Sequence, residues 1–225
     1  SIEQIRVDDK VVTFDGAFAD NTQRTVDSSD SNFYKDAVSY ITIEPHLGSD
    51  SQSASSLLST LSSWGTNHKL SGLAYLALKF KWNQDVFGGI PKVQAKIKGK
   101  KVVTLASNLS ESSATFSSNP AFCILDYLRN ERYGKGIATA NIDLQSFYDA
   151  SQVAVTQVTP YSGASNINIF DCNAVLDTSK KIIENTRILL RGCRGFLPYT
   201  GGKYKLVLET TGSASITLTE DDIFG

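Results

Sequence analysis

Methionine is absent from all 225 residues. A chain without it has either lost its initiator or is a piece of a longer polypeptide. Histidine is nearly as scarce. His46 sits in Glu44-Pro45-His46-Leu47-Gly48, which reads as a turn, and His68 in Thr66-Asn67-His68-Lys69, which reads as a polar loop. A Ser/His/Asp apparatus needs a histidine beside a nucleophile and a carboxylate, and neither histidine has that setting. Glu44 with His46 supplies two ligands at most, too few for a metal site. The three cysteines, Cys123, Cys172 and Cys193, are odd in number and lack metal-type spacing. Cys123 and Cys193 lie in apolar context and read as buried reduced thiols; all three are expected free. No apolar run reaches the roughly 20 residues that span a bilayer. Ser1 to Val7 lacks the basic and apolar regions of a signal peptide. A formal net charge of −1 gives no general pull toward nucleic acid or an anionic surface.

What is present fits a globular fold, with 41% hydrophobic and 20% charged residues. The length accommodates one large domain or two small ones. The first hundred residues read mostly as strands. Ile5 to Phe14 alternates around an Asp8-Asp9 turn, and Val38 to Ile43 is rich in β-branched and aromatic residues. Ala74 to Trp82 is almost continuously apolar, so part of it is expected to be buried on both faces. Ala54 to Trp64, carrying Leu57, Leu58 and Leu61, reads as a short helix. Serine-rich loops run over 27–31, 49–56 and 107–118. The last is the best boundary.

Helical signals begin just after that loop. Asn119 can cap a helix whose first position is Pro120. Ala121, Ile124, Leu125 and Leu128 form its apolar stripe, and Gly134 and Gly136 end it. A second helix starts at Asp143 and carries Leu144, Phe147, Tyr148 and Ala154. Residues 166–174 read as a strand. A third helix starts near Asp177 or Thr178 and carries Ile182, Ile183, Thr186, Leu189 and Leu190. Strands over 195–200 and 203–209 form a hairpin at Gly201-Gly202. A two-residue type I′ turn there pairs Thr200 with Lys203, Tyr199 with Tyr204 and Leu197 with Leu206. The tyrosines and leucines then share one face with Leu208, packing on the third helix through Ile182, Ile183, Leu189 or Leu190. Ser215 to Thr219 reads as a further strand. The fold class is α+β: a β-rich N-terminal lobe, then a mixed lobe of about three helices and a small antiparallel sheet. The lobes span 1–106 and 119–225.

Candidate chemistry is sparse. Asp8-Asp9, Asp126 and Glu220-Asp221-Asp222 are carboxylates of the kind a glycosidase pairs across a cleft; in turns they read as solvated. Gly88-Gly89 lacks the Gly-Lys-Ser/Thr ending of a phosphate loop, and Gly201-Gly202 lies between strands rather than before a helix. In Pro91 to Lys101, Val93, Ala95 and Ile97 alternate with Lys92, Gln94, Lys96 and Lys98. One face is expected to be core and the other a lysine row. The row would face DNA or an acidic neighbour, or simply guard a strand edge against aggregation. Trp64 and Trp82 would serve as interface anchors, with core packing the favoured role for Trp82. No catalytic, cofactor-binding or metal-binding residue is assigned.

Three segments carry a resemblance. They are Asn119-Pro-Ala-Phe-Cys-Ile-Leu-Asp-Tyr-Leu-Arg-Asn-Glu-Arg-Tyr-Gly-Lys-Gly136; Gly88-Gly89-Ile90-Pro91 with the strand through Val102; and Asn173-Ala-Val-Leu-Asp-Thr178 with Cys193-Arg194-Gly195 and Tyr199-Thr-Gly-Gly-Lys-Tyr204. In that order they resemble the central tail-tip, host-specificity or baseplate-hub proteins of long-tailed bacteriophages, over roughly residues 70 to 210. The chain departs at Val103-Thr104-Leu105, where the family has a Tyr/Asp/Pro-rich turn, and residues 1–65 carry none of the motifs. The resemblance implies a fragment of a longer, non-enzymatic structural virion protein without a cofactor, assembled in the host bacterial cytoplasm, where thiols stay reduced. It implies a homotrimer that caps the tail tube, joins other tail-tip and tail-tube proteins to the host-recognition fibre, and opens for phage DNA in transit. A host-glycan or receptor-binding module is the alternative, and a cell-wall-degrading tail enzyme a minor one.

Overall fold

A computed structural model describes residues 1–210. The fold is mixed α+β, and the chain forms two compact units, Ser1–Gly99 and Lys100–Gly225. The strand expected at 215–219 and the carboxylates at 220–222 lie outside the described residues.

The first unit carries β1 (Ile2–Val7), β2 (Lys10–Val12), β3 (Arg24–Thr25), β4 (Tyr34–Lys35), β5 (Val38–Ser39), β6 (Ile41–Leu47), β7 (Ala74–Phe80) and β8 (Val93–Ile97). They pair antiparallel in the orders β2-β1-β8 and β3-β6-β7, with β4-β5 apart. β1 and β2 meet at Asp8-Asp9, both left-handed at φ 48° and 61°, a conformation short polar side chains tolerate. Ile5, Val7, Phe33, Ile41, Ile43 and Phe87 fill the core.

Four sequence expectations need correcting here. Ala54 to Trp64 forms only a 3-10 turn over Leu58–Thr60. The serines that would line a helix are drawn into hydrogen bonds with a buried carboxylate (below), and only Leu57 of the three leucines is buried. β7 is an edge strand in which only Ala77 is fully buried. Trp82, just beyond it, stacks edge-off on Phe87 at 6.2 Å but is 61% exposed, so it is not a core residue. β8 buries little of its expected core face: it too is an edge strand, with Val93 half-buried against the core and Ile97 63% exposed.

The second unit carries β9 (Lys101–Val102), β10 (Thr115–Phe116), α1 (Pro120–Arg129), α2 (Leu144–Ala154), β11 (Gln157–Val158), β12 (Ile167–Asn168), α3 (Ile182–Gly192), β13 (Gly195–Phe196), β14 (Tyr199–Thr200), β15 (Lys203–Tyr204) and β16 (Val207–Leu208). Asn119 Oδ1 accepts from Ala121 N at 3.0 Å and opens α1, whose stripe of Ala121, Ile124, Leu125 and Leu128 is buried. The helix stops at Arg129, short of the glycines. Asn130 Oδ1 accepts from Arg132 N and Tyr133 N at 3.0 and 3.1 Å and turns the chain out of the helix. Asp143 caps α2, accepting from Ser146 N at 3.3 Å. Phe147, Ala150 and Ala154 are its buried face.

α3 begins at Ile182, later than expected. Asp177 Oδ1 accepts from Ser179 N and Oγ at 2.9 and 2.7 Å, so it closes a local turn instead of capping a helix. The face α3 buries is Asn185, Thr186 and Leu189; Ile182 and Ile183 point outward at 37% and 53% exposure. The strand expected over 166–174 shrinks to Ile167–Asn168, paired with β11.

The C-terminal hairpin has the expected register: Tyr199 opposite Tyr204 and Thr200 opposite Lys203, continued by Phe196 opposite Val207 and Gly195 opposite Leu208. Gly201 and Gly202 both have positive φ, 61° and 77°, the requirement of a type I′ turn. Its support differs from the expectation. Asp143 N donates to Tyr204 O at 2.9 Å and Leu206 N to Ser146 Oγ at 3.0 Å, so the strand docks on the start of α2. Leu189 and Leu190 join the same core, while Ile182 and Ile183 do not.

Candidate functional site

The strongest concentration of polar groups in the first unit surrounds Glu44. Alternation along β6 sends Glu44 and His46 to one face, and both are 1% exposed. Glu44 Oε2 accepts from Leu57 N at 2.6 Å, Ser56 Oγ at 3.0 Å and Ser55 Oγ at 3.1 Å; Oε1 accepts from Ser56 N at 3.1 Å. Burial pushes against ionisation of this carboxyl. The converging donors, led by Leu57 N and Ser56 N, outweigh it and hold the group below its usual range.

His46 is therefore not the turn residue its neighbours implied. It lies within β6, opposite Tyr75 of β7, and the two rings stack at 4.2 Å and 2°. Its Nε2 is 3.3 Å from Glu44 Oε1, yet neither ring nitrogen makes a hydrogen bond among the described residues, so that approach is off the bonding direction. Serine, histidine and carboxylate meet here in an order unsuited to nucleophilic catalysis. A triad places the imidazole between hydroxyl and carboxylate so that it can take the proton. Here both serine hydroxyls donate directly to the carboxylate. Burial also raises the Tyr75 phenol, and the Glu44 charge adds to it. Beyond Tyr75, Trp64 stacks on His68 at 5.1 Å, which joins both histidines to one aromatic row. Sequence reasoning missed this cluster. The i, i+2 spacing of Glu44 and His46 in a β-rich stretch was its one local signal; the serines come from a separate segment.

In the second unit, Asp126 of α1 is half-buried and holds Lys100 Nζ at 2.9 and 3.0 Å. Tyr133 Oη bonds to both, and Lys100 Nζ also lies 4.5 Å over the Tyr133 ring. One turn along, Arg129 grips Glu111 in a fork at 2.9 and 3.4 Å. The adjoining cleft, walled by Val103, Leu125, Asp126, Arg129 and Asn130, is about 260 Å³, below the usual size of a ligand pocket. Each charge has its partner, so the pairs fasten the strand start and the loop after α1 to the helix.

The lysine row is also paired off. Lys96 and Lys98 reach Glu3 at 3.3 and 3.0 Å, and Lys92 reaches Asp9 at 3.9 Å. Hydrogen bonds from Lys98, then Lys96, lower the Glu3 carboxyl. Asp8 Oδ1 accepts from Lys92 N at 2.8 Å, a turn-to-strand tie. Trp64 is half-buried. All three cysteines are free thiols. Among the described residues no three of the His, Cys, Asp and Glu side chains are placed to hold a metal ion, and no helix is long and apolar enough to cross a membrane.

No family model matches the chain. Over 177 aligned residues it is 25% identical to the baseplate hub protein pb3 of Escherichia phage T5, a match covering 72% of this chain and 18% of that protein. The chain thus spans less than a fifth of that relative's length. The match is a likeness to a baseplate hub protein, the same class of protein that the three motifs resemble.

Proposed function

We propose that this chain is a structural part of a phage tail-tip hub, acting through its assembly surfaces rather than through catalysis. The observation that carries the reading is its similarity to a baseplate hub protein along most of its length. The surface supports it. Ile90 is 99% exposed, Ile97 63% and Trp82 61% in the first unit, and Phe196 is 62% exposed in the second. Large apolar side chains left open in this number suit a chain that has neighbours. Among the described residues β7 and β8 are edge strands of their sheets in the first unit.

In this reading three copies surround the tail axis, each offering different surfaces to its two neighbours, so that a ring closes. The ring caps the tail tube and links it to the host-recognition fibre. Cryo-electron microscopy of intact virions tests it: three copies at the distal end of the tube are expected. Two or six copies, or none in the particle, would overturn it. Cell-wall and glycan substrates incubated with the purified chain should remain intact; turnover abolished by changing one Asp or Glu would defeat the non-enzymatic part.

A further inference from the structure

Two of the three thiols meet. Cys123 stands in the first turn of α1 and Cys172 in the segment following β12. That segment is drawn to the helix start: Cys172 N donates to Ser118 O at 2.6 Å, and Ser118 Oγ donates to Asp171 Oδ1 at 2.7 Å. Cys123 Sγ lies 3.5 Å from Ser117 O. With the Cys123 sulfur at Ser117 O and the Cys172 backbone at Ser118 O, the two thiols stand as neighbours at the helix start, each acting on the other's charge. Both are half-buried, so solvent reaches the pair. Cys193 is fully buried and turns its sulfur to the Leu189 and Leu190 carbonyls of its own helix.

The contact makes the sulfurs unequal. The neighbouring Cys123 thiol, aided by the Ala174 N–H and opposed by burial, brings Cys172 down to about 7. The neighbouring Cys172 and burial drive Cys123 up. Burial raises Cys193 to about 11. Cys172 is thus the more acidic thiol of the pair and the readier to form the nucleophilic thiolate, with Cys123 beside it.

We propose that Cys123 and Cys172 are the two halves of a reversible intrachain disulfide, open in a reducing medium and closed in an oxidising one. A small disulfide such as oxidised glutathione supplies the oxidant. The Cys172 thiolate attacks one of its sulfurs, forming a mixed disulfide and releasing one glutathione thiolate. Cys123 then gives its proton to solvent and attacks Cys172 Sγ, and the second glutathione leaves. Two protein thiols lose two electrons, and one small disulfide becomes two thiols. The bond would latch the start of α1 to the segment after β12. The passage of the chain from a reducing cytosol to the medium outside rests on the virion reading; the pairing does not.

The test is thiol titration of the purified chain, denatured after incubation with oxidised glutathione, with peptide mapping of the product. One free thiol and a Cys123–Cys172 linked peptide are expected. The melting temperature should rise on the order of 10 °C through closure of the loop and fall back with dithiothreitol. Cys123→Ser should stop at the glutathione adduct on Cys172, Cys172→Ser should form no linked peptide, and Cys193→Ala should behave as the parent. Three persisting thiols, a linked peptide containing Cys193, or disulfides only between chains would overturn the proposal. None of these readouts depends on copy number in a tail, so the pairing and the hub reading fail separately.

Discussion

The backbone N–H of Leu57 donates to Glu44 Oε2 at 2.6 Å, and through it a buried carboxylate fastens the 55–60 turn to β6. Replacing Glu44 with Ala would strand the Leu57 N–H and the Ser55 hydroxyl in a buried place and take the acceptor from the Ser56 N–H and hydroxyl at its exposed edge. A loss of roughly 2–4 kcal/mol is expected, from the cost of unsatisfied donors and of lost charged hydrogen bonds. Urea unfolding checks this; a loss below about 1 kcal/mol would mean that the turn is held by its leucine alone.

The same carboxylate sets a pH dependence. Its folded-state pKa lies below its usual value, which is about 4.3 in an unfolded chain. The stability it contributes is therefore complete above that value and is lost as pH falls through the lower, folded one. Between pH 7 and 5 parent and Glu44→Gln should keep a constant difference in urea midpoint. Below about pH 4 the parent should fall faster and the two curves converge. Parallel curves down to pH 3 would show that Glu44 is not a linked group.

Gly134 lies in the turn after α1, where an added Cβ would sit 1.8 Å from Tyr127 O and 2.8 Å from Asn130 O. Both are backbone atoms of or beside the helix, so relief requires the chain to move. Gly134→Ala should cost more than about 3 kcal/mol, well beyond the usual penalty of a surface change. A thermal melt within a degree of the parent would show that this turn yields to a side chain at no cost.

Trp82 provides the opposite expectation. At 61% exposure with a single ring neighbour at 6.2 Å, its replacement by Ala should cost less than about 1 kcal/mol in the isolated chain. If the tail assembly covers it, the same change should weaken assembly instead, measured as incorporation into particles. A large loss of stability in the isolated chain would return it to the core.

For the hairpin, changing Gly201 and Gly202 together to Val should cost roughly 2–4 kcal/mol, at 1–2 kcal/mol for each residue forced left-handed. Hydrogen exchange should show opening confined first to β14 and β15. Unchanged protection of Tyr204 would contradict the turn type.

Some of this protein is determined by short-range chemistry and could be read from the chain alone. Asn119-Pro120 starts a helix because the orphan N–H groups of a first turn need an acceptor and proline has none to lose. Asp143 caps α2 for the same reason. The hairpin register follows from two glycines that accept positive φ, and the mixed α+β class follows from the change of hydrophobic period after the serine-rich loop. These depend on neighbours within a few residues.

Other features were decided by partners distant in the chain. His46 looked like a turn residue because Pro45 and Gly48 flank it, yet pairing with β7 placed it in a strand against Tyr75. Ser55 and Ser56 followed the Glu44 carboxylate instead of a helix ladder, because a buried charge outbids a weak local propensity. β7 reads as partly buried on both faces and β8 as buried on one, but both stand at the edges of their sheets, and of the two only Ala77 is fully buried. α3 turned its asparagine and threonine inward, where Asn185 Nδ2 finds Tyr127 Oη at 3.1 Å and the Asp177 carbonyl at 2.8 Å, leaving two isoleucines outside. The contact of Cys123 with Cys172 belongs here as well. A spacing of that length in sequence says nothing about distance; the carbonyls of Ser117 and Ser118, which take the Cys123 sulfur and the Cys172 N–H, bring the two residues to one place.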